Sequence, residues 1–177
     1  MSAARPAGDP EKIWEGRYIR VLKHGSWEYV GRTRGVTAAV MLAVADGEVV
    51  LVEQYRVPLA AMALELPAGL VGDEEEGEAI EAAAIRELEE ETGYRARSMT
   101  VLGRFFASPG MSCEAFTLLR AEGLERVGEG GGVHGEEIVV HHVPLADVPD
   151  FVERKRQEGV AIDAKLLLLL ASACLQP

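Results

Sequence analysis

Between Gly72 and Tyr94 the chain reads GDEEEGEAIEAAAIRELEEETGY, ten Asp or Glu residues against one Arg. Like charges three and four positions apart destabilise a helix, so such a segment is worth keeping if something outside the chain neutralises it. On a helical wheel with Glu87 at zero, Glu91 falls at about 40° and Glu90 at about −60°, so the three share one face. Ile80, Ala84, Leu88 and Ile85 run from about 20° to about 160° beside them, an apolar stripe for a core. Glu89 points away, and Arg86 lies one turn from Glu90. A face of carboxylates suits a hard cation such as Mg²⁺ or Mn²⁺ without help from Cys or His. The plain alternative is a solvated acidic face.

Composition bounds what such a site could serve. The 177 residues suffice for one domain with a real core, and 48% hydrophobic with 27% charged residues is ordinary globular composition. A net charge of −11 argues against nucleic acid or an anionic membrane surface as partner. A small anionic ligand stays open, because bound metal inverts the local charge. Cys113 and Cys174 lack CxxC spacing and read as buried small hydrophobes. The start MSAARPAGDPEK lacks the apolar run of a signal peptide, and LLLLLA is too short to span a membrane. A soluble cytoplasmic protein is expected.

The rest of the chain must frame the acidic helix. Residues 1–11 read as a frayed tail. Residues 12–35, with RYIRVLKHGSWEYVGRTRG, predict a β-hairpin turning at His24-Gly25-Ser26, ahead of a main domain over 36–177. TAAVMLAVADGEVVLVEQYRV predicts a second hairpin turning at Ala45-Asp46-Gly47. Its run 49–52 is apolar enough for a strand buried on both faces. PLAAMALELPAGLVGDEEEGE, broken by Pro and Gly, reads as loop. The acidic helix follows over 78–92, capped by Gly93. Further strands are predicted at 96–107, 114–121 and 137–143, and helices at 145–158 and 163–173, with Asp147 and Asp163 near their starts. EGLERVGEGGGVHGEE reads as a mobile Gly-rich loop. The pattern is α/β: an α/β/α sandwich around a mixed β-sheet.

Gly72, Glu78, Arg86-Glu87-Leu88, Glu90-Glu91 and Gly93-Tyr94 together resemble the Nudix box, G-x5-E-x7-R-E-U-x-E-E-x-G-U with U a bulky apolar residue. All nine specified positions in the 23 residues are filled, Tyr94 serving as the last. The resemblance implies a Nudix-type α/β/α sandwich with an N-terminal hairpin extension. It also implies hydrolysis of a nucleoside diphosphate joined to another moiety, by attack of water on phosphorus. By resemblance Glu87, Glu90 and Glu91 are ligands to Mg²⁺ or Mn²⁺, with more than one ion per site. Glu90 and Arg86 count among the catalytic residues, Arg86 and Glu78 pairing to orient the ligand helix; Gly93 is structural.

Outside the box, VEQYRVP followed by ELPAG, and Pro109 sixteen residues past Gly93, are similar to ADP-ribose pyrophosphatases and related nucleotide-sugar hydrolases. The closing VAIDAKLLLLL resembles that group's last helix. This extends the resemblance over about residues 18–170. It implies substrate contacts from Arg56, Glu65, Ser108, Pro109 and Gly110, with Ser112 and Glu114 in the same loop. Arg56 would grip phosphate through its guanidinium fork, and Trp27 and Tyr29 would stack the base. A further ligand or general base would come from Glu136 or Glu137; the plain reading of both is solvation. His134, His141 and His142 read as bystanders. One departure stands out. The Gly of "PAG" usually opens the box, but here Gly69 lies three residues early and Gly72 meets the spacing. The backbone carbonyl ligand is therefore Ala68 by the first match or Val71 by the second, with Ala68 favoured. The activity implied is cleavage of ADP-ribose to AMP and ribose 5-phosphate by a homodimer. The alternatives are another nucleotide-sugar such as GDP-mannose, or a non-catalytic ADP-ribose sensor.

Overall fold

The computed structural model describes residues 6–33, 35–72, 77–133 and 135–174, with side chains to 171. His134, the acidic residues 73–76, tail residues 1–5 and the Cys174 side chain lie outside that description. In chain order the strands are β1 (Glu11–Glu15), β2 (Ile19–His24), β3 (Trp27–Arg32), β4 (Thr37–Leu42), β5 (Val44–Ala45), β6 (Glu48–Arg56) and β7 (Ala61–Glu65). They continue as β8 (Ala68–Val71), β9 (Tyr94–Arg95), β10 (Ser98–Phe106), β11 (Ala115–Glu122), β12 (Glu125–Arg126), β13 (Val139–Pro144) and β14 (Ala161–Ile162). The helices are α1 (Ile80–Thr92), α2 (Val148–Gln157) and α3 (Leu167–Cys174).

Two mixed sheets form the middle layer. One runs β10-β11-β4-β8 and the other β13-β6-β7-β14, with β5 on β6. Alternation along the strands assigns each side chain to a face. Ala39 and Met41 of β4 and Val50 of β6 pack with Ala83, Ala84 and Leu88 of α1. Val40, Val49 and Leu51 point the other way, to Val148 and Val152 of α2 and to Leu166. This is the expected α/β/α sandwich, its middle layer divided into two sheets. No helix among the described residues is long and apolar enough to cross a membrane.

The side of the sandwich under α2 holds a buried charge cluster. Lys155 Nζ and His141 Nε2 each lie 2.8 Å from Glu53 Oε2, and Phe151 packs on the His141 ring. Burial pushes the Glu53 carboxyl up. The hydrogen bonds and charges of Lys155 and His141 outweigh it and hold Glu53 below its usual range.

Several local expectations are corrected. Glu11 is already in β1, which pairs with β2, so the N-terminal element is a three-stranded antiparallel sheet and the tail ends before it. Only β5 and β6 form the second hairpin, through Asp46 and Gly47 at φ 52° and 83°. β4 instead leaves for the other sheet, parallel to β11 and antiparallel to β8. The stretch taken as loop after β6 contains β7, an interior strand, and β8. Pro67 falls between them, where no ladder donor is lost. Cys113, expected to be buried, is exposed; its segment is tied to β3 by the Cys113 N–H, which donates to the Val30 carbonyl at 2.9 Å.

Candidate active site

α1 is a helix because its core face is Ala83, Ala84 and Leu88, small or straight side chains with high helical propensity. Gly93 ends it in the left-handed region at φ 73°, donating its N–H to the Glu89 carbonyl. On the buried edge sits Glu91, 6% exposed, its Oε2 accepting the Ala68 N–H at 3.0 Å. Burial pushes the Glu91 carboxyl up to about 8. The Ala68 hydrogen bond opposes that rise, Glu87 adds to it, and the charges of Arg56 and Glu136 work against each other.

Glu87 reaches over β8. A Cβ built on Gly69 would stand 2.2 Å from the Glu87 carboxyl carbon, so any other residue there would push this carboxylate from its place. Gly72 does another job: at φ 81°, with nothing among the described residues within 4 Å of an added Cβ, it supplies a turn conformation that other residues resist. The two glycines that compete for one box position therefore divide the role, one for room and one for backbone. Ala68 lines the cavity beside Glu91, whereas Val71 packs in the core.

The cavity, about 490 Å³, is lined by Glu87, Glu91 and Glu136 and by the cations Arg32, Arg56 and Lys165, among others. Each cation already holds a carboxylate. Arg56 Nε and Nη2 donate to the two oxygens of Glu65 at 2.6 and 2.9 Å, Arg32 Nε to Glu114 at 2.6 Å and Lys165 Nζ to Asp163 at 2.5 Å. Arg86 sits between Glu87 at 3.0 Å, Glu90 at 3.4 Å and Glu78 at 3.5 Å. All the donors offered are oxygens, and the cradle over Gly69 leaves room for a carboxylate, so a hard divalent cation fits this set. Among the described residues no three acidic, His or Cys side chains stand as a ready-made ligand group.

The structure brings Arg56, Glu65, Ala68, Glu87, Glu91 and Glu136 into one cavity. Glu90 turns instead to Arg86 and lines a shallow recess with Ala82 and Ile85. Glu137 lies in an adjoining hollow that Glu136 shares. Trp27, Tyr29, Pro109 and Gly110 line a separate, largely apolar pocket of about 530 Å³ with His24 and Phe106. Ser108 faces neither; its carbonyl takes the N–H groups of Met111 and Ser112 and so shapes the Pro109 turn. The fork of Arg56, expected on phosphate, is engaged by Glu65. Lys165, Arg32 and Gln54 were not anticipated as lining residues. The signal for Lys165 was a single cation between Ala164 and the apolar run: a 3₁₀ turn over Ala164–Leu166, capped by Asp163, carries it to the cavity. His141, a bystander for metal, serves the Glu53 cluster. The Gly-rich loop expected to be mobile is held to α1, the N–H groups of Gly131 and Gly132 donating to the Glu91 and Glu90 carbonyls at 2.9 and 3.1 Å.

Comparison with known proteins agrees with this geometry. A NUDIX domain model matches residues 33–167. An ADP-ribose pyrophosphatase of Bacillus subtilis (strain 168) is 40% identical over 120 residues, 67% of this chain and 63% of the relative. The chain thus spans just under two thirds of that enzyme's length. A GDP-mannose pyrophosphatase of Cronobacter sakazakii is 39% identical over 146 residues, covering 77% of this chain and 72% of the relative. A solved ADP compounds hydrolase superposes with a TM-score of 0.70 over 97% of this chain and 95% of its own, at 22% identity, a likeness of fold.

Proposed function

This chain belongs to the Nudix family, and from that premise we propose that it hydrolyses the diphosphate bond of ADP-ribose to AMP and ribose 5-phosphate. The observation that carries the reading is Glu91. It is buried, its ionisation is opposed by burial and by Glu87, and it faces a cavity shared with Glu136 and three cationic side chains. The ADP-ribose and ADP-compound relatives support the substrate.

Glu87, Glu91 and Glu136, with the Ala68 carbonyl and with Glu90 from the rim, would hold divalent cation, Mg²⁺ or Mn²⁺ and more than one ion. When bound, the cation supplies charge neutralisation at the phosphate oxygens and a more acidic water. The chain's own residues do the rest. Arg86 orients Glu87 and Glu90, and Gly69 gives Glu87 its room. Lys165 and Arg32 attract the diphosphate, while Arg56 and Glu65 brace the wall. Glu136, or Glu137 beside it, takes the proton of the attacking water. We further assign Ser108, Pro109 and Gly110 to the loop beside the distal sugar, and Trp27 and Tyr29 to stacking of the base. The sheet β1–β3 serves as a homodimer element. A cytoplasmic setting without nucleic-acid or membrane partners fits the charge of −11.

The test is product release with Mg²⁺ from ADP-ribose, GDP-mannose, UDP-glucose, NADH, FAD and coenzyme A. AMP arising chiefly from ADP-ribose is expected. Preference for GDP-mannose, favoured by the Cronobacter relative, would keep the chemistry and replace the substrate. Binding of ADP-ribose without turnover of any compound would make the protein a sensor, against its full set of box carboxylates.

A further inference from the structure

The last turn of α1 is an awkward place for Glu89, Glu90 and Glu91. Helix carbonyls there carry the negative end of the dipole, and the turn holds no basic side chain. The glycine segment answers this with backbone N–H groups. Val127 and Gly128 donate to the Gly93 carbonyl at 2.8 and 3.1 Å, Gly131 to Glu91 at 2.9 Å and Gly132 to Glu90 at 3.1 Å. The fit depends on missing side chains. A Cβ on Gly130 would stand 2.4 Å from the Thr92 carbonyl carbon, and one on Gly93 2.3 Å from the Gly128 oxygen. Gly130, Gly131 and Gly132 all have positive φ, which turns successive N–H groups toward the helix end.

The same segment continues to Glu136. The Gly131 carbonyl accepts the Ile138 N–H at 3.2 Å, and the Val133 carbonyl accepts the Glu136 N–H at 3.2 Å. Glu136 Oε2 in turn accepts the Val133 N–H at 3.2 Å. A Cβ on Gly132 would stand 2.7 Å from the Glu136 Cβ and 2.8 Å from its Oε2. One short stretch therefore grips the backbone of the ligand helix with one end and sets the place of Glu136 with the other. We propose that the segment 127–132 is a positioning arm, with Gly132 as its positioning residue. It holds Glu136 in register with Glu87 and Glu91 through the backbone of α1. The proposal rests on the hydrolase reading above for the role of Glu136.

The experiment compares Gly132→Ala with Gly135→Ala, each alone and combined with Glu136→Gln. Gly135 has φ 90° with nothing among the described residues within 4 Å of an added Cβ, and Gly132 has φ 83°, so the two carry similar backbone strain and differ in what the methyl meets. Both should lower the unfolding midpoint, Gly132→Ala the more because its methyl must also displace Glu136. Gly132→Ala should reduce kcat roughly tenfold to a hundredfold with KM little changed, as for a misplaced catalytic group, and Gly135→Ala should not. In the Glu136→Gln background the Gly132→Ala loss should vanish, because both act on one group. Equal losses from the two alanines, or the same loss with Glu136 already replaced, would overturn the arm while leaving the hydrolase intact. An unimpaired Glu136→Gln would remove the role of Glu136 and the arm with it. Amide hydrogen exchange needs no turnover: the Gly131 and Gly132 amides should be protected together with the last turn of α1. Exchange at open-loop rates beside a protected helix end would refute the docking, whatever substrate the enzyme takes.

Discussion

Two glutamates, Glu53 and Glu91, are almost equally hidden, 8% and 6% exposed, yet they are pushed in opposite directions. Under α2, Glu53 is met by Lys155 and His141 and is held below its usual range. At the end of α1, Glu91 has the Ala68 N–H as its hydrogen-bond donor, Glu87 adds repulsion to burial, and it rises to about 8. Both are hidden from solvent, but Glu91 has more of the fold around it, so depth and company decide together. One cluster carries its cations in direct contact with the carboxylate; in the other the nearby cations are engaged by other carboxylates, and Glu91 has a backbone N–H instead. A difference of this kind separates a structural ion cluster from a site.

The sharpest way to break the comparison is Glu91→Gln. Turnover should fall by roughly a hundredfold or more, at or beyond the loss seen when a metal ligand's supporting partner is removed, with the far-ultraviolet circular dichroism unchanged. Retained turnover would make Glu91 merely a second Glu53. Lys155→Met comes next. It leaves Glu53 buried with only His141, and should cost about 2 kcal/mol in urea unfolding, less than a buried pair broken outright. Steady-state turnover should hardly move, and a large loss there would join the two regions that the structure separates. A third effect is on pH. The Glu91 pKa is raised above its ordinary 4.5 in the folded state. Its contribution is therefore whole below that value and is lost as pH climbs toward 8, by up to about 1.4 kcal/mol per pH unit. Glu53, depressed, adds stability above its ordinary pKa that is lost as pH falls through the lowered one. Urea unfolding between about pH 5 and 8 should show the metal-free protein weakening with pH, and a saturating divalent cation or Glu91→Gln flattening that slope.

The site was legible where chemistry is written in adjacent turns of one helix. Arg86, Glu87, Glu90 and Glu91 declare themselves by spacing, and Gly93 by its place after Thr92. The wheel put Glu90 with Glu87 and Glu91, but it sits at the edge of that face and is drawn off by Arg86, a competition that no angle encodes. The fold was legible in its layers and less so in its partners. β4 was assigned to its neighbour in sequence because its true neighbour, β11, comes after α1. β7 and β8 were taken for loop because β7 is short and interior, without polar alternation, and β8 carries Gly69, present for the sake of Glu87. Lys165 and Arg32 reach the cavity from opposite ends of the chain, and such convergence is visible only in three dimensions.

The pairing of β4 has a consequence for how the cavity comes into being. β8, which carries Ala68 and Gly69, has β4 as its strand partner, and β4 is anchored by the parallel match of Ala38 with Phe116. That match closes a long loop with α1 inside it, and long-range parallel pairing is entropically slow to form. The floor beneath Glu87 is thus laid late. A growing chain that has not yet made β11 holds every residue of the box but lacks Phe116, Glu136 and Lys165 of the cavity wall, so the proposed site is complete only with the finished fold.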